Sequence, residues 1–114
     1  MEWPESWEFT DSVENVLLQT NPQDPYSVTI WCVRDGDQLY IAASDNDNQW
    51  VVNMMEDPRV ILSVEGNLIN GRTSIVRNTD EINRVIQEYL IKYEIENEEN
   101  FVEEEGVLFR FNRP

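Results

Sequence analysis

Six runs rich in β-branched, aromatic or alternating apolar residues fall within 114 residues, and each is stopped by Gly, Pro, Asn or Asp. So many short, mostly antiparallel strands leave damaging edges unless the sheet closes on itself or pairs with another chain. The clearest run is Tyr26 to Arg34, dense in residues that suit a pleated sheet. Asp35-Gly36-Asp37 then closes a hairpin, with Gly36 supplying the positive φ such turns demand, and Gln38 to Ala43 returns as the partner strand.

Upstream, Val13 to Thr20 reads as a first strand apolar on both faces, with a short helix as competitor. Asn21-Pro22-Gln23-Asp24-Pro25 is a turn, because two prolines cannot continue a ladder. Gln49 to Glu56 is expected as a short helix ahead of Pro58, with Trp50 and Met54 on one face and Val51 and Met55 flanking. Arg59 to Glu65 alternates as a half-buried strand. A turn at Gly66-Asn67 leads into a strand from Leu68 to Arg77, weakened by Gly71.

Asn78, with Glu81 three residues later, forms a capping-box-like start to a long helix. Ile82, Val85, Ile86, Tyr89, Leu90 and Tyr93 give it one apolar stripe. Glu94 to Glu105 carries seven glutamates, and Val107 to Phe111 closes the chain as a strand. No repeat and no long linker divides residues 1–114, which read as one domain with an N-terminal extension (1–12) and an acidic segment (94–105).

Composition narrows the chemistry. With no His and one Cys, neither a zinc cluster nor a Ser-His or Cys-His pair can be built. Cys32 has no partner for an internal disulfide, which fits a reducing compartment, and a cytoplasmic location is expected. It reads as a small core residue, with no Lys, Arg or His beside it in sequence to activate the thiol. No apolar stretch approaches the ~20 residues of a membrane span. The opening residues, Met1 to Glu5, hold no positive charge and no apolar run, so no secretory signal is expected there.

Eight basic residues against 23 acidic ones give a net charge of −15, which repels phosphate backbones and argues against nucleic-acid binding. That charge fits either adaptation to salt or a locally acidic surface. The glutamates of 94–105 read as a solvated face or a contact for a basic partner. Asp45 to Asn48 superficially suggests a calcium loop, but Trp50 stands where such a loop needs glycine, so no metal site is expected.

The order of elements, with certain words inside it, resembles the FMN-binding split β-barrel superfamily of pyridoxamine 5′-phosphate oxidases, flavin reductases and deazaflavin-dependent nitroreductases. The words are Asp35-Gly36-Asp37-Gln38-Leu39-Tyr40-Ile41, Trp50-Val51-Val52-Asn53-Met54, Glu56-Asp57-Pro58-Arg59-Val60 and Tyr89-Leu90-Ile91-Lys92-Tyr93. The resemblance implies an α+β fold: a six-stranded antiparallel split β-barrel with one short and one long helix. It further implies a homodimer with FMN or a deazaflavin at the subunit interface, and an oxidoreductase of unknown substrate.

Carried over by position, Thr29, Trp31 and Cys32 would border the ring, and the backbone of Ala42 and Ala43 would face it. Ser44, Asn48, Gln49 and Trp50 would lie near the phosphate, with Arg72 as the nearest cation. A tryptophan in such a word is more often a core anchor than a ligand contact, so Trp50 is open to a plain core role. The chain departs from the family where phosphate-pairing cations belong: it has Asn48, Gln49 and Trp50 there, behind Asp45 and Asp47. Two functions therefore stay open: a flavin or deazaflavin protein, or a split-barrel dimer that has lost its cofactor and acts as a binding or structural module.

Overall fold

The computed structural model describes residues 3–43, 48–95 and 106–114. Its strands are β1 (Val16–Thr20), β2 (Tyr26–Ile30), β3 (Cys32–Asp35), β4 (Gln38–Ala43), β5 (Arg59–Val64), β6 (Asn67–Ile75) and β7 (Val107–Asn112). Two helices, α1 (Gln49–Glu56) and α2 (Thr79–Lys92), and a 3₁₀ turn at Glu8–Ser12 complete the described residues. The strands form one antiparallel sheet in the order β2-β1-β5-β6-β7-β4-β3.

β2 and β3 lie at opposite edges of that sheet, yet only Trp31 separates them in the chain. The strand expected from Tyr26 to Arg34 is present but bends at Trp31. Its first half pairs with β1 and its second with β4. The bend carries one strand from one edge to the other and closes the sheet into a barrel, so seven strands replace the six read from sequence. No Gly or Pro marks the bend.

The barrel interior follows from the period of two. Val16 and Leu18, Val60, Leu62 and Val64, Ile69, Leu39 and Ile41, and Phe109 and Phe111 all point inward and share one buried cluster. Gly71 does more than interrupt a strand. A Cβ there would stand 2.4 Å from the Phe111 ring and 2.8 Å from the Asn112 carbonyl, so glycine lets the ring cross β6. Trp7 joins the same cluster from the N-terminal segment, edge-on to Phe111 at 5.6 Å.

α1 also packs into this cluster, through Trp50, Val51 and Met54. Met55, expected to flank the buried face, is exposed instead, because eight residues make too narrow a stripe to bury both sides. α2 covers the outer face of β3, β4 and β7, where Val85 and Tyr89 pack on Val33, Tyr40 and Leu108.

Asn78 caps α2 by accepting the Glu81 N–H at 2.9 Å. The reciprocal half of the expected capping box is absent: the Glu81 carboxylate instead accepts from Tyr40 Oη at 2.5 Å and pairs with Arg110. Those two groups hold the Glu81 carboxyl below its ordinary range, Arg110 foremost. Two boundaries also move. β1 begins at Val16, with Val13 buried ahead of it, and the second hairpin turns at Glu65-Gly66, both with positive φ (50° and 86°). Positive φ at two successive residues is the signature of a turn that matches strand twist.

Candidate functional site

The bend at Trp31 is where the expected site residues concentrate. Thr29 and Trp31 are exposed on the outer side of the strand. One face of the Trp31 ring stacks on Tyr93 at 4.1 Å and 5° between planes, leaving Trp31 40% exposed. Ladder pairing between β3 and β4 stops at Cys32–Ile41, so Ala42 and Ala43 pair with β7 alone. This is the split in the barrel, and beside it the Tyr89 hydroxyl of α2 donates to the Tyr40 carbonyl at 3.1 Å.

The last turn of α2 clamps the bend. Lys92 Nζ donates to the carbonyls of Cys32 (2.7 Å) and Thr10 (2.9 Å). Tyr93 Oη accepts the Cys32 N–H at 3.1 Å and donates to the Glu14 carbonyl at 2.7 Å. Burial pushes the Tyr93 phenol up to about 12. Beside the clamp lies an open groove of about 320 Å³ lined by Glu14, Trp31, Lys92, Tyr93 and Glu94 among others.

Cys32 requires a correction. The sequence places no cation near it, but the fold sets Lys92 Nζ 3.9 Å from its sulfur. The contact spans 60 positions, which local sequence cannot reveal. The thiol is still buried inside the barrel, and that burial raises it more than the ammonium lowers it. Cys32 is thus a core residue, buried in the barrel while its neighbour Trp31 is exposed.

The expected phosphate end looks different. Asn48 is the residue before α1, and Gln49 opens the helix. Gln49 Nε2 is committed to Asn53 Oδ1 at 2.8 Å, and Asn53 Nδ2 to Thr20 Oγ1 at 3.0 Å. Trp50 is buried in the barrel cluster. The Trp50-to-Asn53 word is therefore satisfied by packing and by the tie between α1 and β1. Ser44 lies outside the described residues, as does segment 96–105. Among the described residues no cation stands at the start of α1.

Arg72 sits elsewhere, on the open face of the sheet. Direct pairing aligns Thr29, Leu17, Ser63 and Leu68 in one row across β2, β1, β5 and β6. Ser27, Gln19, Ile61 and Asn70 make the next row, and Arg59, Arg72 and Asn112 the third. Leu17 is 43% exposed and Leu68 57%. The burial on both faces expected for β1 is thus met on the inner face only. These four strands contain no Asp or Glu, in a chain with 23. Neither spacing nor composition of any single strand revealed this; only the sheet order assembles the rows.

Among the described residues, no group of three or more His, Cys, Asp or Glu side chains could hold a metal ion. No described helix is long and apolar enough to cross a membrane.

No family model matches the sequence, and no curated protein matches it. Solved structures do match by shape. The chain is similar to the heme storage protein HutZ from Vibrio cholerae, with a TM-score of 0.74 at 18% identity, covering 94% of this chain and 86% of that one. It is similar to an F420-H2-dependent reductase, with a TM-score of 0.71 at 14% identity, over 88% and 95% of the two chains. A candidate pyridoxamine 5′-phosphate oxidase from Listeria innocua gives 0.70 at 12% identity, over 91% and 86%. At such identities the likeness is one of architecture. By shape, the chain has the split β-barrel fold that these structures share.

Proposed function

We propose that this chain works as a homodimer of split barrels that holds a flavin or deazaflavin, ring first, beside Trp31. The observation that carries the reading is the acid-free outer face of β1, β2, β5 and β6, which ends at the bend where Trp31 is exposed. Two copies at −15 each repel, and they approach most easily through the surface that carries no carboxylate. Leu17 and Leu68 supply that surface with apolar contact. A structural neighbour that is a domain-swapped dimer, and another that is an F420-H2-dependent reductase, support the two halves of the proposal.

The protein's part is to position the ring. Trp31 is held by Tyr93, and Tyr93 by Cys32 and Glu14, so the exposed indole is a fixed surface. Redox chemistry would belong to the bound cofactor, with the protein supplying orientation and electrostatics. Binding is weak, because the cations that would pair with phosphate at the start of α1 are missing. Charge-assisted bonds contribute about twice a neutral bond, and losing two or three moves a submicromolar site toward roughly tens of micromolar.

A second reading, a dimer without a cofactor, is favoured by Gln49, Trp50 and Asn53 being engaged internally. A visible spectrum of the purified protein followed by fluorescence titration with riboflavin, FMN and a deazaflavin separates the two. Saturable quenching by riboflavin that Trp31→Ala weakens supports ring binding. No saturation with any of the three leaves the second reading.

A further inference from the structure

Eight cations are scattered over this acidic chain, and most are spoken for. Arg34 pairs with Asp11, Arg84 with Asp35, Arg110 with Glu81, and Lys92 is occupied by carbonyls. The Arg72 side chain has no hydrogen bond or ion pair among the described residues. Its direct cross-strand neighbour is another arginine, Arg59. Like charges set opposite one another on a sheet oppose folding, and the two arginines stand together on an exposed face with no carboxylate in any of its strands.

Arg59 is held by Asp57 through Nε at 3.0 Å and Nη2 at 2.7 Å. A guanidinium carries five N–H donors, so Arg59 keeps several in hand and Arg72 keeps all of them. Asp57 is half-buried, and Arg59 holds its carboxyl down at about 2, so it is ionised and competes for Arg59 at any ordinary pH. It lies ahead of β5 and bonds to Arg59; Arg72 is near enough to feel its charge but makes no direct bond to it.

We propose that Arg59 and Arg72 form a seat for a phosphate group on the open face of the sheet. Paired guanidiniums recognise phosphate oxygens through parallel N–H donors, a geometry that lysines or scattered arginines do not supply. The Arg59–Arg72 row lies four residues along β5 from the Leu17–Ser63–Leu68 row, about 13 Å away. A phosphate there would sit at the rim of a dimer seated on the leucines, reachable from solvent. The proposal does not require a flavin. The phosphate is that of a flavin mononucleotide or of a separate phosphorylated small molecule, and the two sources share the same chemistry at the seat.

Pyrophosphate is the probe, titrated calorimetrically at an ionic strength held constant with NaCl, because a chain at −15 responds to salt alone. The expected result is saturable binding that Arg72→Ala weakens at least about tenfold. Asp57→Asn, which frees Arg59, should tighten it several-fold, while Arg84→Ala, whose partner is Asp35, leaves it unchanged. Thermal melts of each variant confirm folding; Arg72 is exposed and its loss should not lower the midpoint. Absence of pyrophosphate binding to the parent, or equal binding by Arg72→Ala and the parent, overturns the proposal. With binding in place, displacement of pyrophosphate by FMN and not by riboflavin assigns the seat to the flavin phosphate. No displacement assigns it to a separate ligand. Riboflavin affinity independently reports the ring site, so failure of the phosphate seat is distinguishable from failure of flavin binding.

Discussion

Replacing Tyr93 with Phe tests whether the end of α2 holds the barrel closed. The substitution keeps the ring that stacks on Trp31 and removes one oxygen. That oxygen accepts the Cys32 N–H at 3.1 Å and donates to the Glu14 carbonyl at 2.7 Å. Cys32 is fully buried, so its N–H has no water to turn to. Leaving a buried backbone donor unpaired costs about 1–3 kcal/mol, which exceeds the net value of an ordinary hydrogen bond. At roughly 4 °C per kcal/mol for a domain of this size, the midpoint should fall by about 4–12 °C. Melts followed by far-UV circular dichroism measure it, with Tyr26→Phe, an exposed tyrosine, as the control. A shift within the ~0.5 kcal/mol usual for surface substitutions would refute the clamp.

Gly71→Ala should destabilise by about 1–3 kcal/mol, because the added methyl meets the Phe111 ring and the Asn112 backbone, and only the ring can move; chemical denaturation reads this directly. Alkaline pH should unfold the protein through its tyrosines. Burial raises Tyr89 and Tyr93 foremost, and Tyr40 through burial and its bond to Glu81. A raised folded value means that the contribution is complete below the ordinary value of 10 and is lost as pH passes about 12 for Tyr93. Melts and near-UV absorbance followed together should show tyrosinate appearing with unfolding, and stability that stays level over that window would contradict the assignment.

Local features were legible in the sequence to the extent that local chemistry decides them. The hairpin at Gly36 and the Asn78 cap formed where turn and capping residues placed them, and the helix from Gln49 to Glu56 formed ahead of Pro58 as expected. Features decided by distant partners were not. The bend at Trp31 has no Gly or Pro to announce it, and it exists because one strand must serve β1 and β4 in turn. Glu81 left its capping role for Arg110 and Tyr40, which approach from β7 and β4. Lys92 reached Cys32 from the far end of α2. The candidate site divided along the same line. Thr29 and Trp31 are exposed near the bend, whereas Gln49 and Asn53 were claimed by α1's own packing, and Arg72 acquired its neighbour Arg59 only through strand register.

The most direct test of the dimeric split barrel is the mass in solution, before and after a charge is placed on the acid-free sheet face. Light scattering of the parent at micromolar concentration should give twice 13.5 kDa. Leu68→Glu, at a position 57% exposed and clear of the barrel interior, should leave the fold intact and reduce the mass to 13.5 kDa. A parent that is monomeric, or a Leu68→Glu protein that remains dimeric, would contradict the assignment of this face as the contact between two copies.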